Sequence, residues 1–229
     1  MPTATSVATQ DTWLNGATIS QATNYSTDTT AFAGWVTGGA GGPKRPLLYF
    51  PIAGVLPANS TSVSLSFVPK SAPISSAASL NLYRFEQFGE EEPPIVASQA
   101  TWLESETGSL WIAPGGDYGP TPVKAFTGPL SADVGTVFSI DASDVLLDIV
   151  AAQQGGVWLL FKNAAESGVT KQFSFATLEG SDAFPTLTAT YEDMAIRSPI
   201  IGNFKKARIY SLMSMIVPLL TGALTSLCS

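Results

Sequence analysis

Carboxylates are the only acid–base groups this chain offers in number: 18 Asp and Glu stand beside one cysteine and no histidine. Without histidine there is no Ser-His-Asp or Cys-His nucleophile system, no imidazole base and no His-ligated zinc or haem. The lone cysteine, Cys228, makes an intrachain disulfide impossible. Glu90-Glu91-Glu92 runs into Pro93-Pro94, with Glu104 and Glu106 nearby. A glycosidase needs two carboxyls roughly 5–10 Å apart across a cleft, whereas an acidic run before a proline pair reads as a solvated loop. No nucleophile–base pair emerges, and the chain is expected not to be an enzyme. Asp117, Asp141, Asp144 and Asp182 fall near loops and strand ends, where calcium takes oxygen ligands. They lack EF-hand spacing and read as Asx turns and helix caps, so no metal and no cofactor is expected. Aromatic rings are the remaining candidates. Trp35, Trp111 and Tyr118 sit in glycine- or turn-rich sequence, where an exposed ring could stack on a sugar. For Trp111 and Tyr118, beside Pro114-Gly115-Gly116, stacking and burial are evenly matched readings. Trp13, Trp102 and Trp158 fall where strands would bury them.

The elements that must position these residues are strands. PLLYFPIA (46–53) is a short apolar run between glycine-rich boundaries, and VSLSFV (63–68) alternates, with Val63, Leu65 and Phe67 on one face. ASLNLYRF (78–85) repeats the alternation and carries Arg84 onto the Leu80/Leu82 face, as a strand-end charge or a paired buried one. Further strands are predicted at 122–126, 136–141, 157–163, 171–178 and 186–192, separated by Gly, Pro, Ser and Asp. One helix is predicted over 143–153, capped by Ser143 and stopped at Gly155-Gly156. Many short strands with frequent turn signals predict an all-β antiparallel β-sandwich, a jelly roll with one short helix. Residues 1–13 have neither a basic stretch nor an apolar core, so a secretory signal is not expected.

Charge divides the chain. Only 13% of residues are charged, against about 25% in an average soluble protein. Residues 1–193 hold all 18 acids and seven of the 11 bases, for −11; residues 194–229 hold Arg197, Lys205, Lys206 and Arg208 and no acid, for +4. The expected domains are a jelly-roll body over 1–193 and a basic linker with an apolar C-terminal helical segment over 194–229. In that segment Ile209, Leu212, Met213, Ile216, Leu220 and Leu224 recur at helical spacing, opposite Ser211, Ser214, Thr221 and Thr225. Pro218 interrupts the run. A membrane anchor, a helix packed on its own domain and a helix packed on a partner subunit all fit. The Ser/Thr face and Pro218 favour the partner. Four bases on an otherwise acidic chain make too small a patch for nucleic acid.

Six pieces of the body occur together in a recognisable order: QDTWL (10–14), RPLLYFPIAGVLPANSTSVSLSF (45–67), SAASLNLYRF (76–85), ATWLESETGSLWIAPGGDYG (100–119), FSIDASDVLLDIVAAQQGGVWLLFKN (138–163) and FSFATLEGSDAFPTLTATYE (173–192). In this order they resemble the DNRLRE family, carbohydrate-binding-like jelly rolls of bacterial surface proteins and some phage proteins. The resemblance implies the fold over 10–192.

The expected function is that of a structural virion protein, a phage capsid decoration, cement or fibre protein. It would form a homo-oligomer, a trimer among the options, and contact other virion proteins through 194–229. The alternative is a bacterial surface carbohydrate-binding module, held by its C-terminal apolar helix, that takes up surface glycans through Trp35, Trp111 and Tyr118.

Overall fold

The computed structural model describes residues 1–38, 41–85, 95–116, 124–180 and 183–193. Met1–Glu192 forms one compact unit; residues 194–229, with the whole expected assembly helix, lie outside the described residues. The strands in chain order are β1 (Thr3–Val7), β2 (Gln10–Asn15), β3 (Thr30–Val36), β4 (Gly42–Pro51), β5 (Ser60–Phe67), β6 (Pro69–Ser71), β7 (Ser79–Phe85), β8 (Glu104–Glu106), β9 (Ser109–Leu110), β10 (Lys124–Thr127), β11 (Phe138–Asp141), β12 (Gly156–Asn163), β13 (Lys171–Ala176) and β14 (Thr186–Tyr191); α1 spans Ser143–Ala151. The protein is an all-β antiparallel sandwich with this one α-helix among the described residues.

One sheet has four strands in the order β1-β14-β5-β11, and the other runs β10-β7-β12-β4-β3-β13-β6 with β2 added on β4. β4 is the longest strand and the junction of the large sheet. Tyr49 pairs with both Gln10 of β2 and Trp158 of β12, while Lys44 pairs with both Asn15 of β2 and Gly34 of β3. A residue has only two hydrogen-bonding edges, so β2 runs along one edge of β4, and β12 and β3 share the other end to end.

Alternation fills the space between the sheets. Val63, Leu65 and Phe67 of β5 and Leu187 and Ala189 of β14 face Leu48 and Phe50 of β4, Leu159 and Phe161 of β12 and Phe173 and Phe175 of β13. Phe67 is the centre: its ring lies 5.0–5.8 Å from those of Phe138, Phe161, Phe173 and Phe175.

The expected strands correspond to β4, β5, β7 and β10 to β14, whereas β1, β3 and the short β6, β8 and β9 go beyond the expectation. TAFAGWV of β3 shows little hydrophobic contrast because it is selected for closeness, not bulk. Ala31 and Ala33 are fully buried, and a Cβ on Gly34 would strike the Lys171 carbonyl of β13. The helix cap also differs. Ser143 is the first helical residue and Ala142 occupies the cap position. The capping function passes to Asp141, whose Oδ1 accepts the Ser143 amide (3.0 Å) and hydroxyl (2.7 Å). Ser143 Oγ in turn accepts the Val63 amide at 3.0 Å, lacing α1 to β5. At the other end it is Gln153, with φ +51°, that takes the left-handed position. Its side chain holds that turn by donating to Leu56 and Val150 carbonyls, each at 2.8 Å.

Because Phe67 is shared by both sheets, Phe67→Ala is expected to lower unfolding free energy by about 3–5 kcal/mol. Urea denaturation of the variant checks this; a loss of under about 1 kcal/mol would mean the core is not organised around that ring.

Candidate functional site

The continuous apolar runs of β4 and β12 have a structural cause: the large sheet is buried on both faces. Leu48 and Phe50 point into the sandwich, while Leu47 of β4, Leu160 of β12, Tyr83 of β7 and Leu14 of β2 point the other way, into a second core with Ala100, Trp102 and Trp111. Residues 95–116 cover that face. Their backbone is held by Asn24, whose amide donates to the Ala97 (2.8 Å) and Ala100 (2.6 Å) carbonyls, and by the Trp102 amide on the Gln21 carbonyl (3.1 Å).

Arg45 fastens this cover. It shares the outward face of β4 with Leu47, and its side chain is only 6% exposed. Nε and Nη2 donate to the two carboxylate oxygens of Glu166 at 2.7 and 2.6 Å, and Nη1 donates to the Gly115 carbonyl at 2.7 Å. The guanidinium lies 4.5 Å from the centre of the Trp102 ring, in reach of a cation–π contact. Gly115 is required here: its φ is +90°, and a Cβ would collide with the Arg45 guanidinium and the Trp102 ring. Arg45, Trp102, Gly115 and Glu166, from separate parts of the sequence, thus form one cluster.

The ring candidates fare differently. Trp111 is 6% exposed, and its Nε1 donates to the Thr101 carbonyl at 2.8 Å. It is part of the second core and is not an open stacking platform, which corrects the exposed reading. Trp35 is half-buried at the end of β3, with Nε1 shielded and without a hydrogen-bond partner among the described residues. Tyr118 lies outside the described residues. Trp13 and Trp102 are buried as expected, whereas Trp158 is half-buried beside Tyr49, with ring centres 5.2 Å apart.

The carboxylate candidates are held in structural contacts. Asp141 caps α1, and its carboxyl is kept below the usual range by the Ser143 hydroxyl and amide, with Lys124 adding to the effect. Lys124 lies 3.2 Å from Asp144. Arg84 is paired at the strand end: Nη1 donates to the Val145 carbonyl (2.8 Å) and to the exposed Asp148 carboxylate (2.9 Å), tying β7 to α1. Glu90, Glu91, Glu92, Asp117 and Asp182 lie outside the described residues. Among the described residues no three acidic or thiol side chains come together as a metal site, and no helix is long and apolar enough to cross a membrane.

One acid escapes the sequence pattern. Asp11 on β2 is 4% exposed; Oδ2 accepts the Leu178 amide at 2.7 Å, and Oδ1 is buried without a partner. Burial pushes its carboxyl up from 3.8 to about 6, with Glu179 adding to the rise and the Leu178 amide opposing it.

The outer face of the four-stranded sheet is chemically uniform. Its cross-strand rungs read Thr3–Thr190–Ser62, Thr5–Thr188–Ser64 and Val7–Thr186–Ser66. Strand geometry spaces these positions at about 4.8 Å across strands and about 6.6 Å along them. Ser139 and Asp141 of β11 continue the last two rungs, and Asp141 is the only charge on them. Such a face has hydroxyls to offer and almost no charge to desolvate.

Compared with models of known protein families and with curated proteins, the chain matches none.

Two outcomes follow from this geometry. Arg45→Met leaves Glu166 without its fork and opens the cover, so stability should fall by about 3 kcal/mol; limited proteolysis should then cut first within 95–116. Unchanged protease resistance would contradict the anchoring role. For Asp11, the folded carboxyl binds its proton more tightly than the unfolded one. Its contribution is therefore full below about pH 4 and is lost as pH rises through about 6, a change of about 3 kcal/mol. Asp11→Asn should flatten that part of the stability–pH profile; identical profiles for variant and wild type would refute the assignment.

Proposed function

We propose that the chain is a non-enzymatic structural protein of a virion, with the sandwich as its projecting body and residues 194–229 as the segment that joins it to its assembly. The observation that carries this reading is the division of charge. Every acid lies in residues 1–193, and the last residues combine four bases with an uncharged stretch from 209 to 229. An acidic body repels its own kind at a distance, whereas a basic, apolar terminal segment finds both charge complement and apolar contact on an assembly surface. Two features of the body agree with a packing role. Its described charged side chains in the second core serve to hold the fold, and the Ser/Thr face of the four-stranded sheet can lie against a neighbour without stranding a charge. Within this proposal the protein forms a homo-oligomer with Ile209, Leu212, Met213, Ile216, Leu220 and Leu224 at the contact.

The carbohydrate-binding alternative draws less support, because Trp111 is committed to the interior.

Deletion of 194–229 is expected to leave a folded, soluble and monomeric body, read by circular dichroism and by light scattering against the full chain. A truncated body that still forms the full chain's oligomer would overturn the assignment of assembly to this segment.

A further inference from the structure

Near the start of β4, at the end away from Tyr49, stands a lysine that the sandwich encloses. Lys44 is 8% exposed and Asn15, its register partner on β2, is 5% exposed. Both side chains leave the sheet on the face that also carries Trp13. The Lys44 Nζ donates to Asn15 Oδ1 and lies 5.4 Å from the centre of the Trp13 ring. Lys44 forms no ion pair among the described residues. An ammonium has three protons to place, and this one has a single oxygen and a ring face. Burial accordingly pulls its titration down, toward the neutral amine.

Two further contacts surround the Asn15 amide. Its Oδ1 also accepts the Ala17 backbone N–H at 3.1 Å, and its Nδ2 donates to the Tyr25 hydroxyl at 3.0 Å. Tyr25 is fixed in turn by stacking on Trp13, with ring centres 4.0 Å apart, and Trp13 by its Nε1 bond to Asp28 at 3.0 Å. An amine and a backbone donor on the carbonyl oxygen, and a hydroxyl on the potential leaving nitrogen, therefore meet on one carboxamide group behind an aromatic wall.

We propose that Lys44 and Asn15 join autocatalytically through an intramolecular amide bond, Nζ to Cγ, that covalently links β2 to β4. The neutral Nζ attacks Cγ, and the carbonyl electrons move onto Oδ1, where the Ala17 N–H stabilises the developing negative charge. Nζ gives up one proton, relayed by the Tyr25 hydroxyl to Nδ2; the intermediate collapses, the Cγ–Nδ2 bond breaks and ammonia leaves. A carboxamide and an amine become a secondary amide and ammonia, with no oxidant or other reactant. Enclosure matters twice: it lowers the cost of presenting the amine in its neutral form, and it withholds bulk water from the reacting groups.

Intact mass spectrometry of the purified full chain tests this. The wild-type protein is expected to be lighter than its sequence mass by one ammonia, and trypsin is expected to leave the bond after Lys44 uncut. Asn15 precedes Gly16, a pair that can also lose ammonia by cyclising on its own backbone, so Lys44→Arg is the decisive control. That variant should keep the full mass, and because mass is read equally well on unfolded protein, a folding defect does not blur the result. Tyr25→Phe, which keeps the ring, should slow the loss of ammonia at least tenfold after refolding. A wild-type chain of full mass that is cleaved after Lys44 overturns the proposal, and so does the same ammonia loss in Lys44→Arg.

Discussion

The structure depends on keeping one guanidinium dry. A sandwich of this kind needs only the inner face of each sheet to be apolar, yet here the larger sheet is covered on its outside as well. The cover, residues 95–116, has little regular structure beyond the short β8–β9 pair. It cannot hold itself to the sheet by strand pairing. Arg45 does so by presenting donors in a plane to a carboxylate on one side and a backbone carbonyl on another, with an indole beneath. Removing such a charge from water is costly, and only near-complete satisfaction of its donors offsets that cost. The geometry of Gly115 and the position of Trp102 follow from the same requirement.

Much of the sandwich was legible in the chain. Alternation in VSLSF located β5 and its inward face, and the turn residues between runs located most other strands. β3 escaped because its inward residues are Ala31 and Ala33, while Gly34 leaves room for β13, and small residues carry little hydrophobic contrast. β1 escaped because a strand whose outward residues are threonines and whose inward side is Ala4 and Ser6 looks polar throughout. The helix boundaries missed by a residue or two at each end, since Asp141 and Gln153 took over roles that Ser143 and Gly155 seemed fitted for.

The candidate sites were less legible, for a different reason. Exposure of a ring depends on what covers the sheet, and a cover made of loop leaves no periodic signal. Trp111 stands beside turn-forming residues and still ends inside, because Thr101 supplies its acceptor and the outward faces of β2, β4, β7 and β12 supply its packing. Asp11 and Lys44 carry no distinguishing signal in the sequence. Their burial comes from long-range neighbours, Leu178 for one and Asn15 with Trp13 for the other, which no local pattern announces.

The pairing of first strand with last has a mechanical side. β14 lies between β1 and β5, bonded along both edges, and is the last of the described strands. A pull on residue 193 runs along the strand axis, so the ladder bonds on both edges share the load and must slide together. A pull on residue 1 against 193 acts at the same end of the β1–β14 pair, where Thr3 faces Thr190, and peels those bonds one after another. The body is thus stiff toward tension applied along β14 and compliant toward tension that spreads residue 1 from residue 193.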